Sequence, residues 1–571
     1  MLAKCGRHEM KLFDDIQRII CEVIPELAGI EFDFQPTPEN QPGDFGLACF
    51  RFAGALKSSP QAVAGRLAGL MYQESIAGVV NIGPYVNFTL YRDLFAPGLI
   101  AEILGKGERF GSTGSGLGKR VILEHTSINP NASPHIGRAR NGLIGDTLVR
   151  LLRFEGYDVN VHYYVNDMGK QIGLLVLETK DRDNLEFHEM LDLYVKANEH
   201  AQKDADFERR GLELLMRMEQ GDPGVVGAFD RMVTICLTGQ LAVLARLGLS
   251  YDTFDRESAF LNDTRMTEVM RVLEERGAVF VDDQGRTVAD LKQLGYPRDE
   301  GRYIVLMRAN GSSMYMYRDI AYTLEKIHRG GDMNMIVLGE DHKMYFEQME
   351  TIVRTMGKEP PEAVHYSYIL LKDGKMSTRN GTVVLLEDFL DEAIRLARER
   401  VDEQCVDLSN EEKTDIARII GMGAVRFTIL SVRPNRNVVF DWDTALSFNG
   451  DSGPYIQYSC TRIASILRKH GPVEDNVAAG VSITHDAEWD LVLRLALVER
   501  DISAAIASRN PGIVANTALD ISKKFSIFYR ECPVISSPDD VRSSRIALCL
   551  AVQRVLINLL SLLGIEAPER M

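Results

Sequence analysis

The sequence predicts a multidomain α/β protein: a parallel-sheet core with a helical insertion, a small α/β domain in front and an all-helical bundle behind. Three observations predict it. First, 121–127 (VILEHTS) reads as an apolar strand, followed by the loop NPNASPHIG, the helical stretch RARNGLIGDTLVRLLRFEG and a second strand, YDVNVHYYV; strand, glycine-containing loop, helix and strand make a βαβ unit. Second, 174–300 is helical and charged, with a break at Gly221–Gly224, before strand signals return at 303–307, 335–339 and 366–371. Third, apolar residues repeat at helical spacing from about 410, in ARIIGMGAVRFTIL, LVLRLALVERDISAAI and RIALCLAVQRVLINLLSLLG, which fits a bundle.

The 571 residues allow about three to five domains. With 45% apolar and 26% charged residues, each can bury a core. The net charge of −16 argues against a protein that coats nucleic acid non-specifically, but not against an enzyme with a local basic surface. None of the eight cysteines forms a CxxC pair, so neither a disulfide framework nor a zinc knuckle is expected. The N-terminus lacks the apolar run of a signal peptide, and no stretch reaches about 18 apolar residues. A cytoplasmic protein without a membrane span is expected.

The first domain, 1–115, combines an amphipathic KLFDDIQRIICEVI, a helix-like QAVAGRLAGLMYQES and a strand-like VVNIGPYVNFTLY. The stretch GKGERFGSTGSGLGKR reads as a flexible linker. The core is placed at 118–400 and the bundle at 410–571.

Two segments carry chemistry. Pro134, His135, Gly137 and Arg138 stand at the strand-to-helix junction, where backbone N–H groups and the helix dipole favour a phosphate. His135 adds a donor, and Gly137 lets a flat base approach the backbone. A histidine beside a helix start is also commonly a simple cap. Far downstream, Lys372 precedes Gly374-Lys375-Met376-Ser377-Thr378-Arg379-Asn380-Gly381. Cations flanked by glycines suit a loop that closes on polyphosphate and stabilises departing pyrophosphate, although such a run is often only solvated surface.

Together the two segments resemble class I aminoacyl-tRNA synthetases, with PHIGR at the HIGH signature and GKMSTRNG at the KMSKS loop. EHTSINPNASPHIGRARN, YYVNDMGKQIG, MYMYRDIAYTLEK, GEDHKMYFEQ and SFNGDSGPYIQYSCTRIASIL narrow the likeness to arginyl-tRNA synthetases over essentially the whole chain. The resemblance implies a Rossmann-type catalytic core, an N-terminal domain on the tRNA elbow and an anticodon-binding bundle. It also implies ATP with Mg2+ carried mainly by the nucleotide, L-arginine and tRNA(Arg) as substrates, a monomer, and no structural metal. Arg138 stands where a second histidine is usual; it keeps a cation near the phosphates but loses the imidazole geometry.

A pocket for arginine must meet five guanidinium donors in a rigid fork, preferably with carboxylates. Glu124, at the end of the first strand, and Asp319 are the candidates; Tyr315 lies four residues before Asp319, on one face if the segment is helical. The resemblance would put Glu124 and Asp319 on the guanidinium, Tyr315 in the wall, Asn129 on the backbone of the amino acid and Asp167 near its ammonium. His342 would touch arginine or the ribose, and Gly339 would let adenosine lie on the backbone. His135, Arg138, Lys375 and Arg379 would stabilise charge, with Lys372, Met376 and Ser377 completing the ATP site.

For tRNA, aromatics can stack on unpaired bases while cations meet phosphates. Tyr455, Gln457, Tyr458, Arg462, Lys524 and Arg530 are the candidates in the bundle, and the resemblance adds Tyr85 and Asn87 at the elbow. Three other readings remain open here: a synthetase for another amino acid, a tRNA-binding paralogue without catalysis, and a nucleotidylyltransferase sharing the PHIG-type site. The last would have no reason for the long helical domain.

Overall fold

A computed structural model describes residues 12–570, apart from 39, 73–75, 132, 181, 183, 373–383, 406, 474–476 and 479. The N-terminal domain is a four-stranded antiparallel sheet, in the order Phe34–Pro36, Phe45–Ala48, Tyr85–Leu90, Ile76–Ile82, packed with helices Leu12–Val23 and Pro60–Ala68. Phe45 and Leu47, and Val86, Phe88 and Leu90, point every second side chain into its core, as expected of a sheet with one face packed.

The sheet that positions the site is parallel and five-stranded. Its strands are β1 (Arg120–Glu124), β2 (Asp158–Val165), β3 (Thr253–Arg256), β4 (Met333–Gly339) and β5 (Glu362–Tyr366). They lie in the order β5-β4-β1-β2-β3. Strand order therefore reverses between β1 and β4, and in such sheets the ligand crevice opens at that point, outside the carboxyl ends of the strands. Glu124 and Gly339 end the two strands that flank it. Three helices bound the crevice: α1 (Ile136–Phe154), α2 (Tyr315–Arg329) and α3 (Lys343–Thr355).

The structure redraws parts of the core. The stretch 174–300 is not helical throughout. Helices occupy its first part, up to Pro223–Ala245, but β3 follows and joins the core sheet at its edge. Four residues are too short a run to stand out by periodicity. Tyr303–Met307 is a strand, but it pairs with Thr287–Asp290 in a separate three-stranded antiparallel sheet. The run 366–371 breaks in two: β5 stops at Tyr366, and Ile369–Leu371 pairs with Val438–Phe440 outside the core sheet.

The glycine-rich stretch before β1 is no free linker. It wraps the Glu155 carboxylate, which accepts from the Thr113 N–H (3.1 Å), the Thr113 hydroxyl (2.6 Å) and the Ser115 N–H (3.2 Å). Gly116 lies so close to the Tyr157 ring that a side chain there would occupy the ring's space. Its glycines provide tight turns and close approach as well as freedom.

The bundle runs from Asn410–Leu430 to Asp539–Leu562. Asp539–Leu562 and Pro223–Ala245 are long and apolar enough to cross a membrane, but both pack against other helices of the fold. Six cysteines are buried and Cys21 is partly buried, all as free thiols. The bundle is bolted to the core by Arg426, which is 1% exposed. Its Nε donates to the Leu563 carbonyl at 2.6 Å, and its other nitrogens meet the Leu247 carbonyl and the Asp146 carboxylate of α1. Trp489 Nε1 donates to Asp44 Oδ1 at 2.7 Å and so ties the bundle to the N-terminal domain.

Breaking a buried ion pair by removing one partner leaves an uncompensated charge. Arg426→Met is expected to destabilise the protein by about 3 kcal/mol, read as a lower urea midpoint. Asp146→Asn combined with Arg426→Met is expected to recover part of that loss, because it removes both charges.

Candidate active site

One end of the crevice is the N-terminus of α1, a terminus that favours an anion. His135 is its N-cap: Nδ1 accepts the Gly137 N–H at 3.1 Å. An accepting Nδ1 puts the ring proton of the neutral imidazole on Nε2, which is left to donate outward. Desolvation within the cleft, and then the Arg138 cation, hold the His135 pKa below its ordinary value, although the ring edge reaches solvent. Gly137 is needed for room: a Cβ there would stand 2.8 Å from the ring of His135. The commonplace reading of His135 as a cap is thus correct, and it leaves the other nitrogen free for a ligand.

The segment around His135 is clipped to the chain that follows the lysine-rich loop. Ile136 N–H donates to Val384 O at 3.1 Å, and Leu386 N–H donates to Pro134 O at 2.8 Å. On the other side of that loop, Lys372 N–H donates to Phe440 O at 3.2 Å, and its ammonium lies 3.5 Å from Asp441. Lys375, Met376, Ser377 and Arg379 lie outside the described residues. Arg138 reaches the Tyr366 hydroxyl at the end of β5. At Gly339 the Asp341 carboxylate folds over the α-carbon, into the space a side chain would fill.

The other end of the crevice is acidic and aromatic. Tyr315 opens α2 and Asp319 stands one turn on, so the conditional expectation of a shared helical face holds. Tyr345, from α3, donates to Asp319 Oδ2 at 2.8 Å; its ring lies 5.6 Å from Tyr315 and 6.3 Å from His342. Burial, and then the nearby Glu124, push the Asp319 carboxyl up to about 6, against Lys326 and the Tyr345 hydrogen bond. Glu257 is pushed up to about 7 by burial, with Arg318 opposing and Asp319 and Asp167 adding to it. Arg318 Nε binds Glu257 at 2.6 Å. The buried Tyr164 hydroxyl, beside Glu257, Asp319 and Tyr315, has no hydrogen-bond partner among the described residues. Carboxyls kept short of cations and walled by aromatic rings suit a planar cation.

Three expected contacts are modified by their neighbours. Glu124 is not a free acid: it is buried and paired with Lys326, with the Ser127 hydroxyl 3.4 Å from its second oxygen. Both Asp167 oxygens are engaged by Ser258, from N–H at 2.9 Å and from the hydroxyl at 2.6 Å. Asn129 is exposed and shares a small cleft of about 160 Å3 with Asn166 and Gly169.

Away from the crevice, two expectations are corrected. Asn87 is 2% exposed, and its amide donates to the Pro42 carbonyl at 2.9 Å, so it braces the turn before Phe45–Ala48 and presents nothing outward. Gln457 is fully buried, donating to Ile419 O and Glu566 O at 3.1 and 2.7 Å. A polar side chain in a packed interior is retained for the carbonyls it satisfies. Tyr455 is half-buried, with its hydroxyl 2.9 Å from Ser526. Tyr85 is exposed and meets Phe50 edge-on at 5.9 Å.

Tyr458 and Arg462 line a cavity of about 1040 Å3, together with Arg468, Lys469, Tyr529 and Arg530. The Arg462 guanidinium is sandwiched 4.6 Å from the Tyr458 ring and 4.8 Å from the Tyr529 ring. Arg530 pairs with Glu531 at 2.9 Å, and Lys524 stands half-buried on the same helix. A basic groove with stacked aromatics is a surface for single-stranded nucleic acid.

Reasoning from the sequence missed Tyr345, Lys326, Glu257 and Tyr164. Lys326 alone left a local signal, seven residues beyond Asp319 and so on the same helical face. The others come from elements whose approach no spacing announces.

Comparison with known proteins matches this architecture from end to end. The arginyl-tRNA synthetase N-terminal domain family matches residues 10–90, the class I (R) tRNA-synthetase catalytic domain 99–442, and the DALR anticodon binding domain 456–571. The chain is 35% identical to the arginine–tRNA ligase of Methanocaldococcus jannaschii, over 98% of this chain and 100% of that one. It is 38% identical to the arginine–tRNA ligase of Methanopyrus kandleri, over 86% and 84%. The solved arginyl-tRNA synthetase of Thermus thermophilus superposes with a TM-score of 0.83 at 26% identity, over 98% of this chain and all of that one. The chain belongs to the arginyl-tRNA synthetase family, with a class I catalytic domain and a DALR anticodon-binding domain.

Proposed function

We propose that the protein is an arginine–tRNA ligase that uses the crevice between β1 and β4 for both halves of the reaction. The observation that carries this reading is the pairing of opposites along one crevice: a helix N-terminus with an outward imidazole N–H at one end, and Asp319 among Tyr315, Tyr345 and Glu124 at the other. A substrate with a phosphate and a guanidinium bridges such a site, and arginyl-adenylate is that substrate.

In the first step an arginine carboxylate oxygen attacks the α-phosphorus of ATP, the bond to the β-phosphate breaks, and pyrophosphate leaves. In the second, the 2′-hydroxyl of the terminal tRNA adenosine attacks the acyl carbon, and AMP leaves. His135 Nε2–H and the α1 N-terminus stabilise charge on phosphate in both steps. Arg138 adds a cation at that end, and Lys375 and Arg379 are assigned to the pyrophosphate. Magnesium is assigned to the nucleotide; among the described residues, no three His, Cys, Asp or Glu side chains cluster to hold a metal ion. Asp319 and Tyr315 are assigned to the guanidinium, with Glu124 contributing the oxygen that Lys326 does not hold. Asn129 and Asp167 are assigned to the amino-acid backbone, and His342 and Gly339 to the adenosine side.

We assign 1–115 to the tRNA elbow through Tyr85, 118–400 to catalysis, and 410–571 to the anticodon loop through Tyr458, Arg462 and Tyr529. A cytoplasmic monomer is the working form proposed. Aminoacylation of total tRNA with each of the twenty amino acids tests the whole reading: arginine alone is expected to be incorporated. Incorporation of another amino acid, or none at all, overturns it.

Four predictions separate the parts. His135→Asn, which keeps an N-cap acceptor, is expected to lower kcat by about 100-fold or more without lowering the melting temperature. Asp319→Asn is expected to raise the KM for arginine by about 100-fold and leave the KM for ATP near its starting value. Because the Asp319 carboxyl is held near 6 in the free enzyme, it is protonated below that pH and cannot meet a guanidinium as a carboxylate. The KM for arginine therefore rises as pH falls through 6, about tenfold per unit below it, in steady-state assays at saturating ATP. Tyr529→Ala is expected to weaken tRNA binding by about tenfold, measured by direct titration of tRNA.

A further inference from the structure

Along one face of α2, Tyr315, Asp319, Tyr322 and Lys326 follow at steps of four, three and four residues, which stacks them in a single stripe. Lys326 is 1% exposed; its ammonium lies 4.3 Å from the centre of the Tyr322 ring and pairs with Glu124. One helix thus brings to the pocket both Asp319 and the cation that meets the other acid. We propose that Lys326 is a positioning residue for arginine recognition: by pairing with Glu124 it offsets one of the two acids of the pocket and leaves the other, Asp319, to match one guanidinium. The proposal rests on the assignment of Asp319 and Glu124 to the guanidinium.

The physical argument is charge counting in a poorly solvated site. Two carboxylates that sense each other cannot both stay ionised cheaply, and one takes a proton. Asp319 is faced by Glu124 from β1, by Tyr315 and Lys326 from its own helix, and by Tyr345 from α3. Glu257 lies behind, beside Tyr164 of β2. The nearby Arg318 is bound to Glu257 and to Ser313, so it is committed elsewhere. Lys326 is therefore the cation that offsets Glu124 beside Asp319, and it opposes the rise that Glu124 and burial impose on the Asp319 carboxyl. A neutral residue at 326 would leave two acids for one guanidinium, and the surplus acid would have to be protonated.

The test is the pH dependence of kcat/KM for arginine, at saturating ATP and tRNA, in the full-length enzyme. Lys326→Met is expected to move the acid limb up by about one pH unit, and so to lower kcat/KM by about twofold near neutrality and by about tenfold at about pH 5, with the loss in KM. Lys326→Arg keeps the charge and is expected to stay near the wild-type limb. The double variant Glu124→Gln/Lys326→Met is expected to return the limb to the wild-type position, because no second acid remains to push Asp319; a structural role for Lys326 would not predict that return. An unmoved limb in Lys326→Met, or an equal movement in the double variant, overturns the proposal. Should Lys326→Met fail to fold, Glu124→Gln alone decides: the limb must fall below wild type, and an unmoved limb overturns the proposal. Asp319→Asn is the control for the underlying assignment. An acid limb that persists in that variant counts against Asp319 itself and not against Lys326.

Discussion

The molecule hangs on the burial of α1. It is the first helix of the core sheet, and it carries polar side chains into places without water, where each must be paired. Asn141 accepts from the Thr126 N–H at 2.6 Å and donates to the Val337 carbonyl at 2.9 Å, which joins the ends of β1 and β4 across the crevice. Arg140, fully buried, donates to the Ser367 carbonyl at 2.6 Å and the Arg433 carbonyl at 3.0 Å. Asp146 takes Arg426 of the bundle. The same helix therefore sets the donor terminus at one end of the crevice, the spacing of β1 and β4 further in, and a seat of the helical domain beyond.

That arrangement gives the crevice two unlike ends. At the α1 end the donors are a backbone terminus and a neutral imidazole, which favour negative charge without carrying a full charge themselves. At the α2 end the carboxyls outnumber the cations free to meet them, and burial raises Asp319 and Glu257 toward neutrality. A site left short of positive charge gains most from a ligand that brings one.

The surfaces suited to tRNA lie outside this crevice, on domains that are bonded to the core. The Arg462 sandwich and its basic neighbours stand on the bundle, and Tyr85 with Phe50 on the N-terminal sheet. The Trp489–Asp44 hydrogen bond and the Arg92–Asp486 pair at 2.8 Å join those two domains directly. Arg426 joins the bundle to α1. A nucleic acid that contacts both outer domains therefore bears on parts already tied to one another, and one of the bonds that link them to the core, Arg426 to Asp146, runs to the helix that follows His135.

Much of this was legible in one dimension. The βαβ unit, the junction at His135, the lysine-rich segment and the shared face of Tyr315 and Asp319 are local patterns, because periodicity and turn chemistry depend on neighbours a few residues apart. The order of those motifs along the chain was enough to indicate the family. What the sequence by itself could not determine was which polar groups are already spent. Asn87 and Gln457 look like surface recognition residues in a string and are interior braces in space. Glu124 looks like a free acid and has Lys326, 202 residues away, on its carboxylate. Tyr345 reaches Asp319 only because α3 packs beside α2. The short strand β3 exists only because β2 offers it a ladder. Each of these is a pairing between distant segments, and the need to satisfy buried polar groups, which selects such pairings, acts only once the chain has folded.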